Sequence, residues 1–260
     1  MDPRNLTAVE IAVYLNSRRR IAEAVLERLA RDHRSSVRRL VARYRAMQAA
    51  ARAEALRLRR LYREERRRRR EGVIVAGVDE VGRGPLAGSV VAAAVILPEP
   101  PIRGLNDSKR LRADERERLD REIRGRALAV AVAEASVEEI DRFNILEATR
   151  LAMRRAVDTL VPEPHLLMID GRERLPGPHS HVTVIKGDAA CACIAAASIV
   201  AKVARDRMMV VLHEMFPQYG FHRHKGYATA DHLAALDRFG PCPAHRRTFL
   251  PERQLALFDL

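Results

Sequence analysis

The sequence predicts an α/β fold: a mixed five-stranded sheet flanked by helices, with a small C-terminal helical part and a helical N-terminal extension. Three observations carry this. Five short apolar runs, most of them β-branched, lie at residues 73–79, 89–97, 128–134, 166–170 and 182–185, each of strand length. Helical patterns fill the gaps between most of them, as in a sheet covered on both faces. Residues 1–72 carry a different, Arg-rich pattern with apolar residues recurring at three and four.

Taken in order, Thr7 and Glu10 form a capping box for a helix reaching about residue 15, and 21–30 is a second amphipathic stretch. Ser35-Ser36 cap a third, long helix whose apolar positions are Val37, Leu40, Val41, Tyr44, Met47, Ala51, Leu58 and Leu61. It closes on the arginine run 66–70, and Gly72 is its stop signal. Too polar to build a core by itself, this helix is expected to lie on the body, on nucleic acid or in solvent. In the body the first strand ends in Asp79-Glu80 and the second follows a Gly-rich turn. Helices are expected over 113–124, from the Ser136/Glu139 capping box, over 145–160, over 189–215 and over 228–239. The segment 189–215 is apolar nearly all round as far as Lys202, so it is expected to be buried against the sheet. The resulting organisation is an extension (1–72), a catalytic body with its C-terminal helices (73–250) and a tail (251–260).

The chain has 260 residues, 47% hydrophobic and 31% charged, enough for a sizeable core. No apolar run approaches the ~18 residues of a membrane-spanning helix, and the first residues lack a signal-peptide core. Cys191, Cys193 and Cys242 are odd in number and not at zinc or thioredoxin spacing. A disulfide scaffold is excluded, and a cytoplasmic protein without membrane contact is expected. Net charge is +13, with 21 Arg against 9 acids in residues 1–72, leaving the remainder nearly neutral. A cationic arm on a neutral body fits either a polyanionic partner, nucleic acid first, or a solvated Arg-rich helix. Only four lysines stand among 43 arginines: Lys109, Lys186, Lys202 and Lys225, all in the body. A compact ammonium is not interchangeable with a guanidinium, which marks these positions.

Four acids sit at or just beyond strand ends: Asp79, Glu80, Asp170 and Asp188. Strand ends on one edge of an open sheet are where α/β sites form. Carboxylates gathered there repel one another unless protonated or bridged by a cation. An all-oxygen set suits Mg²⁺ or Mn²⁺, and two such ions can serve a phosphodiester displacement. Any one of these acids alone reads equally as a turn former or a cap. Gly82-Arg83-Gly84-Pro85-Leu86-Ala87-Gly88 follows the first pair. It has neither dinucleotide nor P-loop spacing, but it permits close backbone approach to a ligand.

The stretch from Ala76 to Gly88, AGVDEVGRGPLAG, resembles the opening motif of bacterial ribonuclease HII. Asn106-Asp107-Ser108-Lys109, Ile169-Asp170-Gly171, Lys186-Gly187-Asp188, the helix signature from Ala196 to Asp206, His224-Lys225-Gly226-Tyr227 and His245-Arg246 resemble its other motifs, in order. Ser89 departs from the family, which usually has Pro there. The resemblance implies a ribonuclease H-like fold and hydrolysis of RNA in RNA–DNA hybrids. It also implies incision 5′ of ribonucleotides embedded in duplex DNA, with two Mg²⁺ or Mn²⁺ ions. By motif, Asp79, Glu80, Asp170 and Asp188 would be the metal-binding catalytic carboxylates. Gly82, Arg83, Gly84 and Tyr227 would recognise the ribonucleotide, whose 2′-OH distinguishes RNA from DNA. Lys109, Ser198 and Lys202 would hold phosphates; Lys225 is expected to support the Tyr227 loop. Asp206 and His245 are expected to be structural partners of basic residues. The sister family, ribonuclease HIII, has a sheet-containing N-terminal domain, unlike the helical extension here. A non-catalytic nucleic-acid binder would explain the basic arm but not the four acids. Near the end, Gln254, Leu255, Leu257 and Phe258 resemble the bacterial sliding-clamp-binding peptide. The alternative is that these apolar side chains fold back on the body.

Overall fold

A computed structural model describes residues 6–17 and 21–250. The chain divides into two compact units, Met1–Arg57 and Leu58–Leu260.

In the first unit, α1 (Ala8–Ser17), α2 (Glu23–Ala30) and most of α3 (Ser35–Leu61) form three helices. The first capping box is made: Thr7 N–H donates to Glu10 Oε2 at 2.7 Å, and Glu10 N–H to Thr7 Oγ at 3.2 Å. The start of the long helix builds no core by itself, but it packs on α1 and α2, which the expected body, nucleic acid or solvent did not include. Ile11, Leu15, Leu26 and Leu29 close over Val37, Val41 and Tyr44 as one buried cluster. Each stripe is narrow, but three together exclude water.

The expected single helix to Gly72 is also broken. It stops at Leu61 and resumes as α4 (Arg63–Arg70). Tyr62 leaves helical register (φ −89°, ψ 11°) and is buried, its hydroxyl accepting the Ile102 N–H at 3.0 Å. The break turns Leu58, Leu61 and Tyr62 into the core of the second unit.

That core is built on five strands: β1 (Val75–Val81), β2 (Val90–Ile96), β3 (Ala129–Ala135), β4 (Leu166–Asp170) and β5 (His181–Val184), in the order β3-β2-β1-β4-β5. β1 and β2 are antiparallel, as are β2 and β3; β4 runs parallel to both β1 and β5. One face is covered by α5 (Ala113–Arg126) and α8 (Ala192–Met215), the other by α6 (Val137–Asp158). This is the mixed five-stranded sheet that the sequence predicts. α6 holds the two expected helices across a kink at Asn144 (φ 69°), whose Oδ1 accepts the Leu146 N–H and caps the second half. The expected helix 189–215 is likewise two: α7 (Gly187–Ala190) and α8, separated by an extended Cys191 (φ −129°, ψ 132°). From Ala192 to Ala201 α8 is buried, as its composition predicts. A short helix α9 (Phe221–His224) and α10 (Ala230–Phe239) form the C-terminal part, around Tyr219, Phe221 and Leu236. Among the described residues no helix is long and apolar enough to cross a membrane.

One contact fixes the sheet to α8. A Cβ on Gly77 would lie 2.1 Å from the Cys193 carbonyl carbon. Only glycine lets the strand and helix backbones touch here.

Candidate active site

Strand alternation and register assemble the acids. Side chains of a strand point to alternate faces. Asp79 therefore shares a face with Val75 and Gly77, the face that meets α8, and Glu80 takes the opposite one. Pairing of Val78 with Ile169 in the parallel β1–β4 ladder sets Asp79 beside Asp170. Both leading acids lie inside β1, which runs on to Val81, not at its end as expected. β1 stays paired to β2 as far as Val81–Val91, so its ladder outlasts the acids. Asp188 enters in the first turn of α7, and Gly187 N–H donates to Asp170 Oδ1 at 2.6 Å.

The carboxylates are held where charge is unfavourable. Burial pushes Asp79 well above the usual carboxylate range, and Glu80 and Asp170 push it further, while the nearby Ser198 hydroxyl pulls it back. Glu80 is raised by burial, with Arg83 opposing and Asp170 adding. Asp188 is raised by burial and by Asp107, against Lys109. The Lys109 ammonium stands 3.5 Å from Asp188 Oδ2 with its side chain largely exposed. Among the described residues no three ligating side chains close into a ready metal cage. An open, all-oxygen set with mutual repulsion fits a hard divalent cation that keeps several waters and is completed by substrate phosphate.

Beside the acids lies the loop Gly82-Arg83-Gly84. Gly82 has φ +91°, a conformation reserved for glycine, and a Cβ there would strike the Arg205 guanidinium at 2.2 Å. Arg83 and Gly84 are exposed, and Arg83 Nη1 is 3.4 Å from Glu80 Oε1. The Tyr227 ring lies against Gly84, 3.9 Å from where its Cβ would be, and Tyr227 is 44% exposed.

Two buried arginines hold this loop, and sequence reasoning gave neither a role. Arg246 donates to the carbonyls of Gly82 (2.6 Å), Arg83 (3.0 Å) and Gly88 (2.7 and 2.9 Å). Arg205 donates to the carbonyls of Ala87 (3.1 Å), Ser89 (3.1 Å) and Lys225 (3.0 Å). Neither forms an ion pair among the described residues. Burial, and then the other guanidinium, pulls Arg246 down to about 9; burial lowers Arg205 as well. The family signatures contain both residues, but their burial leaves no trace in a single sequence.

The remaining expected residues are placed as follows. Ser198 is buried and bonded to Ser108 Oγ at 2.8 Å. Lys202 Nζ meets Asp206 Oδ1 at 2.6 Å, and Arg116 lies 3.8 Å from Asp206, which is thus a partner of basic residues as expected. His245 departs from that expectation: its partner is His232, Nε2 to Nε2 at 3.0 Å. Burial depresses both to about 4, so they are neutral near pH 7, and His232 Nδ1 holds the Tyr227 carbonyl at 2.8 Å. Lys225 stands at φ +53°, and its carbonyl accepts from Arg205 Nη1 at 3.0 Å. Gln254, Leu255, Leu257 and Phe258 lie outside the described residues.

Comparison with known proteins matches this arrangement. The family model described as Ribonuclease HII covers residues 76–251, and that described as Ribonuclease HII N-terminal domain covers 7–69. Ribonuclease HII 1 of Methylibium petroleiphilum is 61% identical over 181 residues, 69% of this chain and 91% of that relative. The ribonuclease H2 of Pyrococcus horikoshii OT3 superposes with a TM-score of 0.62 at 26% identity, covering 71% of this chain and 97% of its own. The RNase HII of Archaeoglobus fulgidus, solved as a PCNA:RNase HII complex, gives a TM-score of 0.59 at 27% identity, with coverage of 72% and 100%. The family match runs through all four acids, the glycine loop and Tyr227, and the chain belongs to the ribonuclease HII family of endonucleases.

Proposed function

We propose that this enzyme hydrolyses RNA in RNA–DNA hybrids and incises duplex DNA 5′ of an embedded ribonucleotide, leaving 5′-phosphate and 3′-hydroxyl ends. The observation that carries this is the set Asp79, Glu80, Asp170 and Asp188 beside Tyr227 and the Gly82-Arg83-Gly84 loop, which is exposed at Arg83 and Gly84. The four carboxylates would hold two Mg²⁺ or Mn²⁺ ions. Bound there, the ions supply activation of the attacking water and stabilisation of the leaving 3′-oxygen. The chain's own residues do the selecting. Backbone groups of the loop and the Tyr227 hydroxyl suit a 2′-OH, which is both donor and acceptor. Lys109 and Lys202 would hold phosphates. Ser198, expected from its motif to do the same, is buried, so we place its hydroxyl with Asp79. The basic N-terminal extension adds sequence-independent affinity for the duplex backbone. Three free, buried thiols fit a reducing cytoplasm.

The test is cleavage of a labelled duplex carrying one ribonucleotide, beside an all-DNA control, in Mg²⁺, Mn²⁺ or EDTA. Metal-dependent incision only at the ribonucleotide's 5′ side is expected. Binding without cutting in either metal would overturn the proposal.

We also propose that the tail engages the bacterial sliding clamp, as a relative of 27% identity is known in complex with PCNA. Deleting 254–260 should abolish clamp binding in a pull-down and leave hydrolysis of short duplexes unchanged. Loss of hydrolysis would mean that the tail folds onto the body instead.

A further inference from the structure

The helix α4 reads Arg-Glu-Glu-Arg-Arg-Arg-Arg-Arg. In such a helix both glutamates are expected at the surface, paired with arginines three and four residues on. Glu64 does this, meeting Arg67 at 2.7 Å and Arg68 at 2.9 Å. Glu65 does not. It is 5% exposed, and among the described residues no guanidinium pairs with it. Its Oε1 accepts the Cys193 N–H at 2.8 Å, and its Oε2 is buried without a partner.

Cys193 is the second residue of α8, where a backbone N–H has no partner within the helix. The extended Cys191 just before it bonds back, N–H to the Gly187 carbonyl at 2.8 Å. Gly187 in turn donates its N–H to Asp170 Oδ1, and a Cβ on Gly187 would lie 2.5 Å from Ile194 Cδ1. The first turn of α8 thus fixes Gly187, which fixes Asp170 and precedes Asp188. A buried carboxyl with one orphan oxygen is costly to keep in a core. What Glu65 contributes there is its bond to the Cys193 N–H.

We propose that Glu65 is a positioning residue for the reaction: from the helix preceding the catalytic sheet, it holds the N-terminus of α8 and, through the α7–α8 turn, sets Asp170 and Asp188. This rests on the reading of those acids as the metal site. Burial pushes the Glu65 carboxyl up, so Gln is its near equivalent and Met its apolar counterpart of similar length.

The experiment compares Glu65→Met and Glu65→Gln in the full chain. In Glu65→Met, the half-saturating Mg²⁺ concentration for cleavage should rise about 10-fold and kcat fall about 10-fold, the scale of a lost outer ligand partner. KM for the duplex should stay within about 2-fold, and the melting temperature should move by no more than a few degrees, because removal of a buried, half-satisfied carboxyl offsets the cost of the unpaired Cys193 N–H. Glu65→Gln keeps the acceptor and should restore both kinetic values to within about 2-fold. Amide hydrogen exchange at Cys193 and Gly187 should quicken in the Met variant alone. A folded Met variant with wild-type Mg²⁺ dependence and wild-type exchange would overturn the proposal, as would a lower melting temperature with no change in Mg²⁺ dependence. If the Met variant does not fold, a Gln variant unlike wild type in Mg²⁺ dependence or exchange overturns it, and one matching wild type in both supports it. If wild-type protein neither cleaves nor binds Mn²⁺, the metal reading fails, whereas the exchange data still decide whether Glu65 holds the turn.

Discussion

Asp79→Asn is expected to make the protein both less active and more stable. The activity loss follows from the proposed metal site, in which Asp79 would be one oxygen ligand of a set that is already open. Losing an outer partner of a metal ligand reduces activity by roughly 10–100-fold, and a ligand itself should exceed about 100-fold. The stability gain follows from the sign of the titration. The folded-state pKa of Asp79 is raised, by burial first and then by Glu80 and Asp170. The stability associated with its protonated form is fully present below the unfolded value of about 3.9 and is lost as pH rises through the folded value. At neutral pH the wild-type protein carries that penalty and the amide does not. Thermal melts in EDTA should show Asp79→Asn several degrees above wild type near pH 7.5, the scale of about 1–3 kcal/mol in a domain of this size. Near pH 4 the two curves should converge. Adding Mg²⁺ should raise the wild-type midpoint and leave the variant almost unmoved. A variant that melts below wild type at neutral pH would show Asp79 to be an ordinary structural carboxylate and would remove it from the site.

Arg246→Met is expected to have the largest effect on stability. One planar guanidinium serves the carbonyls of Gly82, Arg83 and Gly88. Methionine fills the volume and offers no donor. Each buried carbonyl left alone costs about 1–3 kcal/mol, and the sum is on the order of 3–5 kcal/mol. For a unit of roughly 200 residues that is about a 10 °C fall in melting temperature. Arg246→Lys should lie between, since an ammonium cannot fork to three carbonyls at once. Its diagnostic value is functional: at a temperature where it is folded, cutting at a lone ribonucleotide should fall more than binding to an all-DNA duplex. Equal losses on both would mean that Arg246 supports the fold without shaping a ribonucleotide-reading site at the Gly82-Arg83-Gly84 loop.

The sheet was legible because its signals are local. Runs such as Val90–Ile96 are apolar at every position, and the Ser136/Glu139 box is made as the spacing predicts, with Glu139 N–H on Ser136 Oγ at 3.2 Å. Asp79 and Glu80 were legible because adjacent carboxylates in an apolar strand have few other readings; Asp170 and Asp188 stood out by their place at strand ends and by resemblance to the family's motifs. The breaks at Tyr62 and Cys191 were not, because each is imposed by a partner distant in sequence. Ile102 takes the Tyr62 hydroxyl, and Glu65 takes the amide that the Cys191 break frees. The same holds for Arg205 and Arg246. Their carbonyl partners lie more than a hundred residues away, except Lys225, and an arginine that bonds only backbone leaves no complementary acid to be found in the chain.

The contact between Gly77 and Cys193 bears on how the enzyme tolerates sequence change. Where two elements are kept apart by side chains, any substitution in the intervening layer alters their separation, and a site spread across both drifts with it. Here main chain rests on main chain. The distance from the strand bearing Asp79 to the helix bearing Ser198 and Lys202 is therefore set by atoms common to every amino acid. Apolar residues elsewhere in this layer can exchange size through evolution, or in the hands of an engineer, while the catalytic spacing is inherited unchanged. Gly77, two residues before Asp79, cannot gain a side chain without parting the two backbones.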